Sequence, residues 1–286
     1  MVSAARPSPV PAETNQHYDQ PPDVFAHFLD ARMKYSSGLY EDGVRGLDEA
    51  QERKLAFICD QLHLGRDGRL LDIGCGWGSL TLYAAAERGA RVVGITPAPR
   101  QADYVRTRAA ELGLAERVEV ICAQIDEVAA DLPAGGFDAL AMVGSIVHFR
   151  DKAATVREAY RVLRKGGLVY LSESCFRNAA RERAFAERPG TLFVRDTIFG
   201  WGELLPVSRY VAWFEDAGFS LTGLTDLSDH YARTIEDWRS NALRNRAQLE
   251  ALEPGLTDRL VRYFEASNAG WGYTTKHYAL TAAKRR

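Results

Sequence analysis

The chain has 286 residues, a formal net charge of −2 and a pI near 6.3. That length is ample for one core with added segments, and the mixed Arg/Glu background without a basic block argues against a nucleic-acid partner. No apolar run approaches the ~20 residues of a membrane span, so no integral membrane segment is expected.

The N-terminus, MVSAARPSPVPAET, lacks the apolar centre of a signal peptide and is rich in Pro, Ala and Ser. Residues 1–14 therefore read as a disordered tail of a cytoplasmic protein. Cys59, Cys75, Cys122 and Cys175 are widely spaced, with no C-x-x-C pair, and read as reduced, mostly buried thiols rather than a metal site. Residues 15–64 read as a helical cap. After the Pro21-Pro22 break, Val24, Phe25, Phe28 and Leu29 recur at helical spacing, and Tyr18, Tyr35, Ser36, Ser37 and Tyr40 flank them. Packing of the cap edge is the plain reading of these tyrosines; a lining for a substrate is the functional one. A second helix is expected over 47–62.

From residue 65 to the end, strands and helices alternate. Strands are expected at 70–73, 91–95, 118–122, 139–143 and 168–171, with helices at 80–88, 100–112 and 153–163. Such alternation predicts an α/β fold with a doubly wound, mostly parallel sheet that binds ligands at the carboxyl ends of its strands. Residues 175–206 and 228–271 break the rhythm and read as inserted covers. Between them lie a helix at 207–217 and a strand at 220–227; helices are expected at 235–252 and 258–267. An antiparallel last strand closes the chain at 273–282. An N-terminal cap and two covers on the ligand side imply an enclosed site for a substrate of some size.

The stretch RLLDIGCGWGS, residues 69–79, joins a buried strand to a helix start through Gly74, Gly76 and Gly78. Such glycines let the backbone approach a ligand, while the free N–H groups of the following helix face the same space. A dinucleotide fingerprint would need a third glycine at Ser79 and an acid after the second strand. That strand ends in Gly94-Ile95-Thr96 instead. Asp72 followed by G-x-G-x-G resembles the class I (Rossmann-like) S-adenosylmethionine (SAM) methyltransferases.

Further motifs narrow the resemblance. HYD at 17–19, MKYSSGLY at 33–40, GITPAPRQ at 94–101, GSIVHF at 144–149, HYARTIEDW at 230–238 and YF...AG at 263–270 occur in order. Together they resemble the cyclopropane fatty acid synthase and mycolic acid methyltransferase family over nearly the whole chain. The resemblance implies SAM as cofactor, with S-adenosylhomocysteine (SAH) as product. The cofactor would be held by Tyr35, Ser36, Asp72, Gly74, Gly76, Gly78, Thr96, Gln101, Ile125, Asp126 and Gly144. It also implies a cysteine, a glutamate and a fifth-strand histidine around a bicarbonate base. This chain carries Ser37, Val147 and Ser172 there, so the fold and cofactor transfer while the cyclopropane chemistry does not.

Methyl transfer from a sulfonium needs alignment first, and a base only where the acceptor must lose a proton. Glu173 at the fifth strand end, His148 after the fourth strand and Tyr231 in the second cover are the expected catalytic group, with Tyr18 and Tyr40 lining the substrate. His148 reads equally as a capping or core histidine, and Glu173 as a solvated or arginine-paired acid. The sequence favours a methyltransferase acting on a hydrophobic small molecule such as an isoprenoid or polyketide, at carbon or heteroatom. A lipid enzyme acting on an unsaturated acyl chain is the alternative, and a non-methylating SAM-fold protein the third reading.

Overall fold

The computed structural model describes residues 20–194 and 202–285. The expected tail and Tyr18 lie outside the described residues. Seven strands form one sheet: β1 (Arg69–Ile73), β2 (Arg91–Thr96), β3 (Val118–Cys122), β4 (Phe137–Val143), β5 (Leu163–Phe176), β6 (Ser220–Asp226) and β7 (Thr275–Ala283). Their order is β3-β2-β1-β4-β5-β7-β6. The strands from β3 to β5 pair in parallel, and β7 runs against both its neighbours. The order reverses between β1 and β4, which opens a crevice at their carboxyl ends.

The helices are α1 (Pro22–Ala26), α2 (Leu47–Gln61), α3 (Ser79–Glu87), α4 (Pro99–Glu111), α5 (Ile125–Val128), α6 (Lys152–Val162), α7 (Ala179–Phe185), α8 (Pro189–Val194), α9 (Val207–Asp216), α10 (Ser228–Arg244), α11 (Arg246–Leu252) and α12 (Leu256–Asn268). None of the described helices is long and apolar enough to cross a membrane.

Alternation along the strands builds two cores. Leu71, Leu140, Val169 and Leu171 face one way, against Val156 and Ala159 of α6 and Tyr210 and Phe214 of α9. Leu70, Ala139, Ala141 and Tyr170 face the other, against Leu55, Ile58 and Cys59 of α2 and Leu80 and Ala84 of α3. Full burial of side chains such as Leu70 and Leu71 contributes roughly 1.5–3 kcal/mol each. A third cluster joins the cap to the second cover, where Phe25 and Phe28 pack with Trp238 of α10, Phe264 of α12 and Trp77 of the glycine turn. Cys59, Cys75 and Cys175 are buried free thiols, and Cys122 is exposed.

Three expectations need correction. The fifth strand extends far beyond 168–171 because β7 pairs with it as far as Phe176↔Thr275, past the end of β4 at Val143. It begins at Leu163 and takes in Lys165-Gly166-Gly167, a stretch expected from sequence to close the preceding helix and lead into the strand. The helix expected at 235–252 begins at Ser228, whose N–H donates to Asp226 Oδ1 at 2.9 Å, and it breaks at Asn245. Asn245 Nδ2 instead donates to the His27 carbonyl at 2.7 Å, tying the second cover to the cap.

Candidate active site

The glycine turn is shaped by what packs around it. The Ser145 hydroxyl, just past β4, donates to the Ile73 carbonyl at the end of β1 across 2.7 Å. That contact lies against Gly74, where a Cβ would sit 2.3 Å from Ser145 Cβ. At Gly78, the N-cap of α3, a Cβ would fall 2.6 Å from Val105 of α4. Gly76 differs: its φ is +56° and a Cβ there would meet nothing within 4 Å, because it opens onto a cavity.

Gly74, Gly76, Gly144, Tyr35, Thr96, Gln101 and His148 line that cavity together with Lys34, Trp77 and Gln124. Thr96 Oγ1 donates to Gln101 Oε1 at 2.8 Å, which leaves the Gln101 amide nitrogen as the donor a ligand hydroxyl would meet. Ile125 and Asp126 line an adjoining cavity that shares Gln124, His148 and Phe149 with the first. Two other expected cofactor residues stand behind this wall. The buried carboxylate of Asp72 accepts from Thr81 Oγ1 at 2.8 Å, and burial raises its pKa. Ser36 turns its hydroxyl to Lys54 Nζ at 2.9 Å. The chain bends at Ser36, so Lys34 and Tyr35 line the cavity and Ser36 does not.

A second cavity, of 690 Å³, opens beneath the two covers. Phe176 and Ser174 of β5, Phe185 of α7, Tyr231 and Ile235 of α10 and Tyr263 of α12 are among its walls. Trp238 lies between the two cavities, its ring 5.0 Å from Tyr35 on one side and 5.9 Å from Tyr231 on the other. Tyr231 also stacks near Trp271 at 5.1 Å and edge-on to His277 at 4.6 Å. Aromatic rings thus run without a break from the cavity at the glycine turn to the cavity beneath the covers.

Of the three residues expected to do the chemistry, Tyr231 lines the 690 Å³ cavity and His148 the cavity at the glycine turn. Glu173 lines neither cavity: it is buried against the turn that carries Val147. Its carboxylate accepts from Ser174 N at 2.8 Å and from Val147 N at 3.4 Å, and burial pushes its pKa up to about 7. Neighbouring Ser174 lines the 690 Å³ cavity, and Val147 sits beside His148. Tyr40 has another occupation: its hydroxyl donates to Asp237 Oδ2 at 2.6 Å and its N–H to His230 Nδ1 at 3.0 Å, bolting the cap to α10. Sequence reasoning missed Lys34, Trp238 and His277. His277 is 1% exposed on β7, beside Ser174 Oγ at 3.3 Å, and burial lowers its pKa to about 3. Only the pairing of β7 with β5 could have revealed it.

The cofactor cavity suits SAM. An open cradle at Gly76, hydroxyl partners at the end of β2 and the absence of an acid among its described lining residues match that molecule better than a dinucleotide.

Comparison with known proteins agrees. The mycolic acid cyclopropane synthetase family matches residues 7–277. Sphingolipid C9-methyltransferase 1 of Gibberella zeae is 32% identical over 243 residues, 84% of this chain and 47% of that protein. A probable fatty acid methyltransferase of Pseudomonas putida is 32% identical over 263 residues, 89% of this chain and 65% of that protein. The chain thus spans about half to two thirds of the length of these curated relatives. The crystal structure of the mycolic acid cyclopropane synthase CmaA1 complexed with SAH and CTAB superposes with a TM-score of 0.86 at 26% identity, covering 96% of this chain and 98% of that one. With its glycine turn, its reversed strand order and a family match over most of its length, the chain belongs to the mycolic acid cyclopropane synthetase family of SAM-dependent methyltransferases.

Proposed function

We propose that this chain is a lipid C-methyltransferase, which adds the methyl group of SAM to an alkene carbon of a long apolar chain and leaves a methyl branch. The observation that carries this reading is the 690 Å³ cavity walled by Phe176, Tyr231, Ile235 and Tyr263, which has room for an extended acyl chain. The sphingolipid and fatty acid methyltransferases among its relatives support a lipid acceptor over the isoprenoid or polyketide favoured by the sequence alone.

The cofactor supplies an electrophilic methyl on an excellent leaving group. The protein's task is to hold the alkene in line with it, at the seam where Tyr35, Trp238 and Tyr231 adjoin. As the alkene electron pair forms the new C–C bond and the C–S bond breaks, positive charge develops on the neighbouring acceptor carbon. The faces of Tyr231 and Trp271 stabilise it. A proton must then leave that acceptor, and we assign its removal to Glu173, which adjoins Ser174 of the cavity wall and whose pKa burial raises to about 7. His148 orients the cofactor.

A cyclopropane would require the added methyl to lose a proton. Nothing at positions 37, 147 and 172 favours that: Ser37 donates to the Gly38 carbonyl at 2.9 Å, Val147 is a buried apolar residue, and the Ser172 carbonyl accepts Gly144 N at 2.8 Å. The test is SAH release with unsaturated phospholipid or sphingolipid, set beside a panel of isoprenoid diphosphates. Turnover with isoprenoids alone would overturn the lipid reading, and no SAH with any acceptor would favour a non-methylating protein.

A further inference from the structure

Lys34 is 6% exposed, yet its side chain lines the cofactor cavity beside Tyr35, Gly74, Cys75 and Gly76. Burying an ammonium is costly unless an anion or hydrogen-bond acceptors meet it. Two carboxylates lie near and partly compensate the charge, but neither bonds Nζ directly. Asp72 accepts from Thr81, and Asp30 accepts from the backbone N–H groups of Lys34 at 2.7 Å and Arg32 at 3.0 Å. The other buried amine of this region, Lys54, is held by Ser36 Oγ. Lys34 Nζ has neither a hydrogen-bond partner nor an ion-pair partner among the described residues.

The wall fixes which part of a bound cofactor Lys34 would meet. Thr96 and Gln101, at the end of β2, stand where the ribose of a nucleotide ligand lies in such sheets, and Gln124 and Ile125 follow at the end of β3 on the base side. Lys34 adjoins the β1 end instead, nearest the glycine turn. The portion of SAM extending that way is its amino-acid end, which carries the molecule's single negative group.

We propose that Lys34 recognises the carboxylate of the cofactor's methionine end, an inference that rests on the SAM reading of this cavity. The ligand's carboxylate completes a buried pair that the protein leaves half made. A charge-assisted hydrogen bond in a dry wall discriminates strongly between ligands with and without that group. Burial lowers the Lys34 pKa and Asp72 and Asp30 oppose that shift, so a further anion beside Nζ would favour the ammonium form.

The test compares SAH with its decarboxylated analogue, which keeps adenosine, thioether and amine. Calorimetry on the full chain and on K34Q and K34M reads both affinities. The wild-type protein should prefer SAH by roughly 10- to 100-fold. Both variants should lose that preference while binding the analogue as well as before. Where K34M fails to fold, K34Q, which keeps a polar end, gives the same ratio. A preference for SAH that survives in K34Q, or an equal loss of both ligands, would overturn the inference. Failure of the wild-type protein to bind either ligand would overturn the cofactor reading itself, and the inference with it.

Discussion

The Thr96 hydroxyl donates to Gln101 Oε1 across 2.8 Å, and the same hydroxyl oxygen accepts the Ala98 N–H at 3.3 Å. One side chain therefore ends β2, starts α4 and orients an amide of the cavity wall, where we place the ribose. Thr96→Val removes a neutral hydrogen bond worth about 1 kcal/mol, and should weaken SAH binding by about 5-fold. Gln101→Ala removes the ligand's own partner and should weaken it further. Calorimetry checks both, and an unchanged affinity in Gln101→Ala would mean that the ribose lies elsewhere.

Gly74 and Gly76 should separate folding from binding. A Cβ at Gly74 collides with Ser145, so Gly74→Ala should destabilise the protein by roughly 2–5 kcal/mol through crowding and left-handed strain. Gly76→Ala meets open space and should cost only about 1 kcal/mol from its backbone conformation, while its methyl group occupies the cradle and abolishes SAH binding. Thermal unfolding and calorimetry on the two variants read the difference.

How much of this was legible in the sequence follows from how local each feature is. Gly74, Gly76, Thr96 and Gln101 sit within short strand-to-helix turns, and the sequence placed them correctly at the strand ends. The acceptor half is assembled over long separations. Tyr35 and Tyr231 are joined through Trp238, and His277 reaches Ser174 because β7 pairs with β5. Lys34 lies inside the MKYSSGLY motif read from sequence, yet its role depends on its burial at the cavity wall, with no direct bond from Asp30 or Asp72. Tyr40, read as a substrate contact, bonds Asp237 instead, a partner almost two hundred residues away that no local pattern reveals.

Glu173 ties activity and stability to pH. Its folded pKa of about 7 lies above the ordinary 4.5, so the native state binds the proton more tightly than the unfolded chain. Stability should therefore fall as pH rises from about 4.5 to about 7, by about 3 kcal/mol in all. Glu173→Gln should abolish that fall and lower kcat by roughly 10²- to 10⁴-fold, with SAH affinity nearly unchanged. Near-normal kcat in this variant would leave Glu173 as a buttress of the turn at Val147, and the base assignment would be wrong.

His277 acts in the opposite sense. Burial and the nearby Lys54 hold it neutral, with a pKa of about 3 against the ordinary 6.5, and Asp226 only partly offsets them. The unfolded chain takes up the proton first, so stability should drop as pH falls from about 6.5 towards about 3. His277→Gln should flatten that limb in pH-dependent unfolding, most visibly in the Glu173→Gln background, where the opposing slope is gone. An unchanged acid limb would mean that other groups set it.

The proposed chemistry has its most direct test in the fate of the methyl hydrogens. The protein is incubated with SAM carrying a fully deuterated methyl group and with unsaturated phospholipid or sphingolipid, and the modified chain is analysed by mass spectrometry. A branch-forming methyltransferase whose acceptor loses the proton yields a chain that retains all three deuterium atoms, irrespective of added bicarbonate. A product with only two deuterium atoms in a cyclopropane ring would contradict the account, because the methyl itself would then have been deprotonated.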